Sequence, residues 1–236
     1  MLRNPFTFAY IEEQLATARR AGYEFIRCID YVVEKISIPT KCVVMRVDID
    51  ENVAKTDRLL TIFSILNIKA TFFVRLHGKY NPLEFSNFLT IKRILEDGHE
   101  LGYHSEIVDE SEIWSEEPAA CLKRDLKIMS TAFGVEIRGV ASHGGRTGLN
   151  NLDFWQNRSP KEFGLMYEAY DQEVDFGLFH KSLYITDSEW TQWKSYLNGR
   201  LLVGDKRSLC EHLEIEQPLV YLLIHPETYF DRHPYD

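Results

Sequence analysis

The pattern of hydrophobic and polar positions changes near residue 41. Between Phe8 and Val33, apolar side chains follow a broadly helical spacing that is broken near Gly22. From Lys41 onward, short β-branched and aromatic runs alternate with segments whose apolar side chains recur at i, i+3 and i+4. The pattern predicts an N-terminal helical extension over residues 1–40 and an alternating α/β region over residues 41–230.

Several apolar runs of the second region are typical of buried strands. In chain order they are CVVMRVDI, KATFFVRL, HELGYH, IRGVAS, FGLMYEA, SLYIT and PLVYLLI. Three amphipathic segments between the earlier runs are predicted as helices: KTDRLLTIFSILN, LEFSNFLTIKRILEDG and PAACLKRDLKIMSTAFG. Gly98 and Gly134 stand where the second and third of these helices would end.

This alternation of strands and helices predicts a parallel sheet with right-handed crossover connections. We expect an irregular (β/α) barrel of about seven parallel strands, preceded by an extra N-terminal helix. An open doubly wound sheet is the alternative, because periodicity does not determine whether a sheet closes. No GxGxxG or GxxxxGK[ST] motif follows any predicted strand, so a nucleotide-binding version has no support.

Length, composition and charge narrow the class of protein. A chain of 236 residues with 44% hydrophobic residues fits one domain, 1–236, with a substantial core. The net charge of -9, without a basic stripe, argues against a nucleic-acid partner. The cysteines form no CxxC pair and are expected to be reduced thiols without a role; they are Cys28, Cys42, Cys121 and Cys210.

The N-terminal sequence MLRNPFTFAYIEEQL contains acidic residues where a signal peptide needs an unbroken apolar run. No segment approaches 18 consecutive apolar residues, so no membrane span is expected. The sequence therefore predicts a cytoplasmic protein.

Polar side chains cluster where the predicted strands end, which is where parallel α/β barrels carry their active sites. These residues are Asp48 and Asp50 after the first strand, His104 and Glu106 after the third, His143 after IRGVAS, and His225 after PLVYLLI. Carboxylate and imidazole groups are ligands that divalent ions such as zinc accept. The positions therefore predict a metal site at this end of the sheet.

Some of these residues also have simpler interpretations. Asp50 and Asn52 fit a cap for the helix predicted near Val53. His99 is expected to be a buried, hydrogen-bonded scaffold residue. Four histidines have no companion residues and are predicted to lie on the surface or in loops: His77, His180, His212 and His233. Serine hydrolysis is disfavoured, because an HGG segment is present without a GxSxG motif.

The segments VVMRVDID, IKATFFV, EDGHELGYH and LLIHPE, in this order, resemble the successive motifs of NodB-like polysaccharide deacetylases. The resemblance covers roughly residues 41–227 and is greatest for the branch with an Asp-x-Asp first motif. It implies that Asp48 is the general base, Asp50 and His104 are metal ligands, and His225 is the general acid. The implied reaction is metal-dependent removal of an N-acetyl group from a carbohydrate.

Residues that contact the substrate are matched more loosely. A backbone N–H near Gly144 is expected to bind the developing oxyanion. Arg146, and Asp187 and Trp190 of the TDSEW segment, are the other predicted substrate-binding residues.

The chain departs from the family pattern at the second histidine of the metal-binding HxxxH motif, where Val108 stands. Glu106, Asp109 and His143 are the candidates for the missing ligand. His143 is favoured, because an imidazole restores a set of one carboxylate and two histidines, and the adjacent glycines allow close approach of the backbone. The expected cofactor is a divalent metal, with zinc as the first choice.

The sequence thus predicts a carbohydrate N-deacetylase acting in surface polysaccharide synthesis of the O-antigen or capsule type. Two alternatives stay open. One is hydrolysis of another N-acyl group, such as formyl. The other, motivated by Val108, is a noncatalytic sugar-binding or scaffold protein on a decayed barrel. The sequence leaves the particular sugar and the oligomeric state open.

Overall fold

Ten strands and eight α-helices make up the part of the chain that a computed structural model describes, namely residues 6–33, 38–173, 175–214 and 217–232. The strands are β1 (Glu24–Ile26), β2 (Cys42–Ile49), β3 (Thr71–Val74), β4 (Glu100–Ser105), β5 (Gly139–Ser142), β6 (Tyr167–Glu168), β7 (Leu183–Thr186), β8 (Lys194–Leu197), β9 (Arg200–Leu201) and β10 (Leu219–Ile224). The helices are α1 (Phe8–Arg20), α2 (Cys28–Val33), α3 (Thr56–Leu66), α4 (Phe85–Glu96), α5 (Ile107–Trp114), α6 (Pro118–Phe133), α7 (Leu178–Lys181) and α8 (Leu209–Leu213).

All the strands belong to one sheet, in which seven neighbouring strands run parallel in the order β6-β5-β4-β3-β2-β10-β7. Strands β8 and β9 continue the sheet as an antiparallel hairpin beside β7. Strand β1 pairs with the first half of β2, and β3 pairs with the second half. The predicted α/β architecture with about seven parallel strands is confirmed.

The predicted closure into a barrel is wrong for the described residues, because the sheet has two ends, β6 and β9. Closure would require β6 to pair with β7, but the free edge of β7 is occupied by β8. Strand β6 is also only two residues long, since the predicted strand FGLMYEA begins inside a 3-10 turn at Pro160–Phe163 and pairs only at Tyr167–Glu168. The sheet is therefore open beside β6.

The N-terminal extension is not wholly helical, since β1 lies between α1 and α2 and joins the sheet. The break at Gly22 is present, and this residue has a φ of 85°. Helix α1 buries Phe8, Ile11, Leu15 and Ala18 in the same hydrophobic cluster as the helices that follow. The extension thus packs on the sheet, and its amphipathic pattern reflects that contact.

Helices α3, α4 and α6 form where the apolar spacing predicts them. Gly98 and Gly134 follow α4 and α6 with φ values of 79° and 69°, the left-handed conformation that ends many helices. None of the helices within the described ranges is both long and apolar enough to cross a membrane. The four cysteines are free thiols.

Strand β2 is buried on both faces and divides its side chains between two environments. Val43, Met45 and Val47 pack in the cluster beneath the helices, whereas Cys42 and Val44 belong to a second, aromatic-rich cluster. Because side chains alternate along a strand, residues 46 and 48 point to the same side as Cys42 and Val44. This face, called the inner face below, therefore carries Arg46 and Asp48 beside the aromatic-rich cluster, called the aromatic layer below.

Two glycines make room for the rings of that layer. A Cβ atom on Gly102 would lie 2.4 Å from the ring of Phe73, and one on Gly139 would lie 2.2 Å from the ring of Tyr167. Both rings are fully buried. Small residues on β4 and β5 therefore allow large aromatic side chains to fill the inner face.

We expect Gly139→Ala to lower the free energy of unfolding by about 1–3 kcal/mol, the usual cost of overpacking a core. The comparison is Gly144→Ala, because a Cβ at Gly144 meets no atom within 4 Å. Urea denaturation of both variants measures the difference. Equal stability of the two variants would show that the Tyr167 ring moves aside without cost.

Candidate metal and active site

The carboxyl ends of β2, β4, β5 and β10 surround a cavity of about 270 Å³. Its lining includes acidic, imidazole, hydroxyl and apolar groups. The residues are Arg46, Asp48, Asp50, His104, Ser142, His143, Gly144, Tyr170, Tyr184, Ser188, Leu223 and His225. Parallel strands place their carboxyl ends at one edge, which is why residues far apart in sequence meet here.

Asp50, His104 and His143 offer one ligand atom each within 4.8 Å of one another. His104 Nε2 lies 3.1 Å from Asp50 Oδ1, and His143 Nε2 lies 3.9 Å from Asp50 Oδ2. Nδ1 of His104 is 2.8 Å from the carbonyl oxygen of Ala141. In the neutral imidazole, a proton on Nδ1 donated to that carbonyl leaves the lone pair of Nε2 facing the carboxylates, as in many metal-binding histidines.

The sheet itself brings the two histidines together. The backbone N–H of His143 donates to the carbonyl of Ser105 at 2.9 Å, which extends the pairing of β5 with β4 by one residue. The rings of His104 and His143 consequently lie 5.1 Å apart in an edge-to-face arrangement. His143 thus places an imidazole next to His104, whereas Val108 in α5 has no donor atom to offer there.

His143 and Asp50 have the protonation states that a divalent cation requires, whereas His104 must lose a proton to bind one, because Asp48 and Asp50 outweigh its burial and raise its pKa. Burial, followed by the positive charge of His104, lowers the pKa of His143 to about 4, so this imidazole is neutral. Burial alone would raise the pKa of Asp50, but the neighbouring histidines reverse the effect and keep this carboxyl ionised. Nδ1 of His143 is buried and has no hydrogen-bond partner among the described residues. One carboxylate and two imidazoles form a donor set that zinc accepts.

Asp48 forms a fully buried ion pair with Arg46, the residue two positions earlier on the same face of β2. Arg46 Nε donates to Oδ1 at 2.8 Å and Nη2 donates to Oδ2 at 2.6 Å. Burial would raise the pKa of Asp48, but Arg46 and then His104 offset it and lower the pKa instead. Asp48 is therefore held as a carboxylate, and His104 Nε2 lies 3.2 Å from Oδ2.

His225 follows β10 and is held by Asp187, which follows β7. Nδ1 of His225 lies 2.6 Å from Asp187 Oδ1, and the backbone N–H of His225 donates to Oδ2 at 3.0 Å. Burial would lower the pKa of His225, but Asp187 raises it to about 9. Nε2 of His225 faces the cavity 3.8 Å from Asp50 Oδ2, so a proton on this atom is available there.

The other two candidate ligands are engaged in different contacts. Glu106 is buried and accepts from Arg75 Nε at 3.1 Å and Nη2 at 2.6 Å. Asp109, in the first turn of α5, accepts from the backbone N–H groups of Arg146 and Thr147 and from the side chain of Asn151. The segment after His104 thus forms a helix that organises the loop after β5.

The predicted substrate-binding residues lie in different surroundings. Gly144 lines the cavity, and Asp187 is fully buried beneath His225. The side chain of Arg146 is 47% exposed, with Nε 3.4 Å from Glu106. Trp190 is half exposed and has a φ of 62°. The substrate-binding roles of these four residues stay predictions.

Sequence reasoning missed Arg46 and Arg75. Arg75 donates from Nη1 to the carbonyl oxygen of Asp50 at 2.9 Å and so fixes the backbone of that residue, while pairing with Glu106. For Arg46 a signal was present, because an arginine inside a run predicted to be a buried strand requires a charged partner. Residue 48, two positions later, is the nearest carboxylate on the same face.

One histidine prediction is wrong, one is wrong in part and one is confirmed. His77 lies in a loop, as predicted, but it has companions: its Nε2 lies 3.0 Å from Asp125 and 3.2 Å from Glu110, and these contacts outweigh burial and raise its pKa to about 9. His212 is fully buried, whereas a surface or loop position was expected. His99 is buried and its Nδ1 accepts the backbone N–H of residue 70, as predicted. His180 is partly buried, and His233 lies outside the described residues.

No protein-family model matches the chain, and no curated protein matches it. Among solved structures, a chitin deacetylase from the fungal pathogen Colletotrichum lindemuthianum has a TM-score of 0.32 and 21% identity over 44% of this chain. The match spans about half of that enzyme, 51% of its chain. A polysaccharide deacetylase from Bacillus cereus has a TM-score of 0.45 and 16% identity over 80% of each chain. At these values neither similarity assigns an activity to this chain.

We expect the purified protein to retain about one zinc ion per chain after dialysis, and His143→Ala to lose most of it, because two ligands hold zinc poorly. His180→Ala is the matched control, since His180 lies outside the cavity lining. Mass spectrometry of the metal content measures the difference. Full zinc in His143→Ala, with loss in Asp109→Ala or Glu106→Ala, would assign the third ligand to the first turn of α5 or to the residue before that helix instead.

Proposed function

We propose that this chain is a metal-dependent hydrolase that removes the N-acetyl group from an amino sugar. The observation that carries the proposal is that two groups able to transfer protons lie next to the candidate metal ligands Asp50, His104 and His143. Asp48 lies 3.2 Å from His104, and His225 lies 3.8 Å from Asp50. A carboxylate base and an imidazole acid beside three metal-ligand groups match the requirements of amide hydrolysis.

Asp50, His104 and His143 would hold the ion, which supplies Lewis-acid chemistry for attack of water on an amide carbonyl. Asp48 accepts the proton of the attacking water at a carboxylate oxygen. Arg46 keeps that carboxylate ionised and oriented through two hydrogen bonds, which leaves it with little freedom to rotate.

His225 donates the proton that the departing amine requires. Its Nδ1 is fixed by Asp187, so the proton that is transferred is the one on Nε2, which faces the cavity. An amine is a poor leaving group unless its nitrogen is protonated as the C–N bond breaks. The two proton-transfer groups therefore have separate functions and come from different strands, β2 and β10.

The cavity of about 270 Å³ is large enough for a small acyl group and has apolar as well as polar walls. Tyr170, Tyr184 and Leu223 contribute apolar surface, and Gly144 lines the cavity, where a backbone N–H near it would bind the developing oxyanion. A formyl group requires the same chemistry and less space, so N-formyl sugars belong in any substrate panel. The setting in O-antigen or capsule-type polysaccharide synthesis stays a prediction of the sequence.

The noncatalytic alternative was motivated by Val108, which has no donor atom. The missing donor at Val108 no longer argues against a metal site, because His143, which follows β5 and lies next to His104, offers a third ligand group. Burying Arg46, Asp48 and His225 in one cavity without a role would also reduce stability. These points support an enzyme.

We expect Asp48→Asn to reduce acetate release by at least about 10²-fold while leaving zinc content unchanged, because the amide cannot accept the proton and the ligands are untouched. The zinc-loaded protein is incubated with N-acetyl and N-formyl sugars, and acetate or formate is measured. Asp231→Asn is the control, since the side chain of Asp231 is 85% exposed. Normal turnover by Asp48→Asn would remove Asp48 from the mechanism.

A further inference from the structure

A second group of metal-ligand side chains lies under the helices, formed by His77, Glu110 and Asp125 and called the His77 cluster below. His77 is in the loop after β3, Glu110 is in α5 and Asp125 is in α6. Tyr103 of β4 contacts both carboxylates, on the face of the strand opposite to His104. None of these three ligand residues lines the cavity of the candidate active site, so the two sites are separate.

One oxygen of each carboxylate faces the imidazole of His77. Nε2 of His77 lies 3.0 Å from Asp125 Oδ2 and 3.2 Å from Glu110 Oε1. In a tetrahedral zinc site with bonds of about 2.0–2.2 Å, neighbouring ligand atoms are about 3.3–3.6 Å apart. The nitrogen therefore lies only slightly closer to each oxygen than it would in such a site.

The His77 cluster has fewer hydrogen atoms than contacts. The hydroxyl oxygen of Tyr103 lies 2.5 Å from Asp125 Oδ2 and 3.0 Å from Glu110 Oε1, the same two oxygens that face Nε2 of His77. The hydroxyl carries one hydrogen, and Nε2 carries at most one. Two of the four contacts therefore have no hydrogen of their own. A cation bound to Nε2 and both oxygens removes this deficit.

The charges in contact with one another also favour a divalent cation. Arg124 lies against the outer oxygens, with Nη2 3.1 Å from Glu110 Oε2 and Nε 3.3 Å from Asp125 Oδ1, and it also pairs with Glu116. Three carboxylates and one guanidinium leave two negative charges when all are ionised. A protonated His77 neutralises one of them, whereas a divalent ion bound to the neutral imidazole neutralises both.

We propose that the His77 cluster is a structural site for a divalent transition metal such as zinc, held by His77, Glu110 and Asp125. The two carboxylates are at most 3% exposed, whereas the side chain of His77 is 28% exposed, so water can reach a fourth position on its side. Magnesium and calcium fit poorly, because they require six or more ligands, mostly oxygens. The ion would join the loop after β3 to α5 and α6.

Zinc does not enter the His77 cluster without competition. Burial would lower the pKa of His77, but Asp125 and Glu110 raise it to about 9, so at neutral pH the ion must displace a proton from Nε2. The charge of Arg124 also opposes the ion. We therefore expect the cluster to fill when free zinc is present and to empty during the dialysis that leaves about one ion per chain in the candidate active site.

The test is equilibrium dialysis against a buffer that contains free zinc, followed by mass spectrometry of the metal content. We expect about two zinc ions per chain in the unaltered protein and about one in His77→Ala and in Glu110→Gln. Glu110→Gln keeps the size of the side chain and an acceptor for Tyr103, so its loss of zinc reports the carboxylate charge. His180→Ala is the matched control and is expected to keep about two ions.

Thermal unfolding tests the structural role in the His143→Ala variant, which lacks a ligand of the candidate active site. We expect added zinc to raise its unfolding temperature, added calcium to leave it unchanged, and the further change His77→Ala to abolish the rise. Equal zinc content in His77→Ala, Glu110→Gln and His180→Ala, or a zinc-dependent rise that His77→Ala does not alter, would overturn the site. Neither measurement depends on whether the chain releases acetate.

Discussion

The buried ion pair of Arg46 and Asp48 is the interaction on which the candidate site depends. Removing two charges from water costs several kcal/mol for each ion, and only close contact between them offsets that cost. Both groups are at most 1% exposed and are joined by two hydrogen bonds. The pair lies on β2, between β3 and β10, so the strands that carry the other site residues are positioned around it.

The parallel sheet explains how residues distant in sequence meet in one cavity. His104, His143 and His225 follow β4, β5 and β10, whose carboxyl ends meet at the edge where β2 delivers Asp50. The same sheet stops at β6 instead of closing. The arrangement of the candidate site thus derives from the order of the strands.

Local sequence patterns were sufficient to predict the strands and helices whose apolar spacing is regular, such as β2, α3, α4 and α6. Strand β2 matches the predicted run CVVMRVDI, and the strand-end residues meet in one cavity. Closure was not predictable, because it depends on the edge of β7 being taken by β8, a pairing that leaves no periodic signal. His77 was missed for a similar reason, since Glu110 and Asp125 reach it from α5 and α6.

The central claim is that the cavity above Arg46 and Asp48 holds the catalytic metal. Its most direct test is a crystal structure of the zinc-loaded protein, with anomalous diffraction measured at the zinc absorption edge. The account predicts a peak about 2.0–2.2 Å from a carboxylate oxygen of Asp50 and one nitrogen each of His104 and His143. A peak only between His77, Glu110 and Asp125, or none in the cavity, would contradict it.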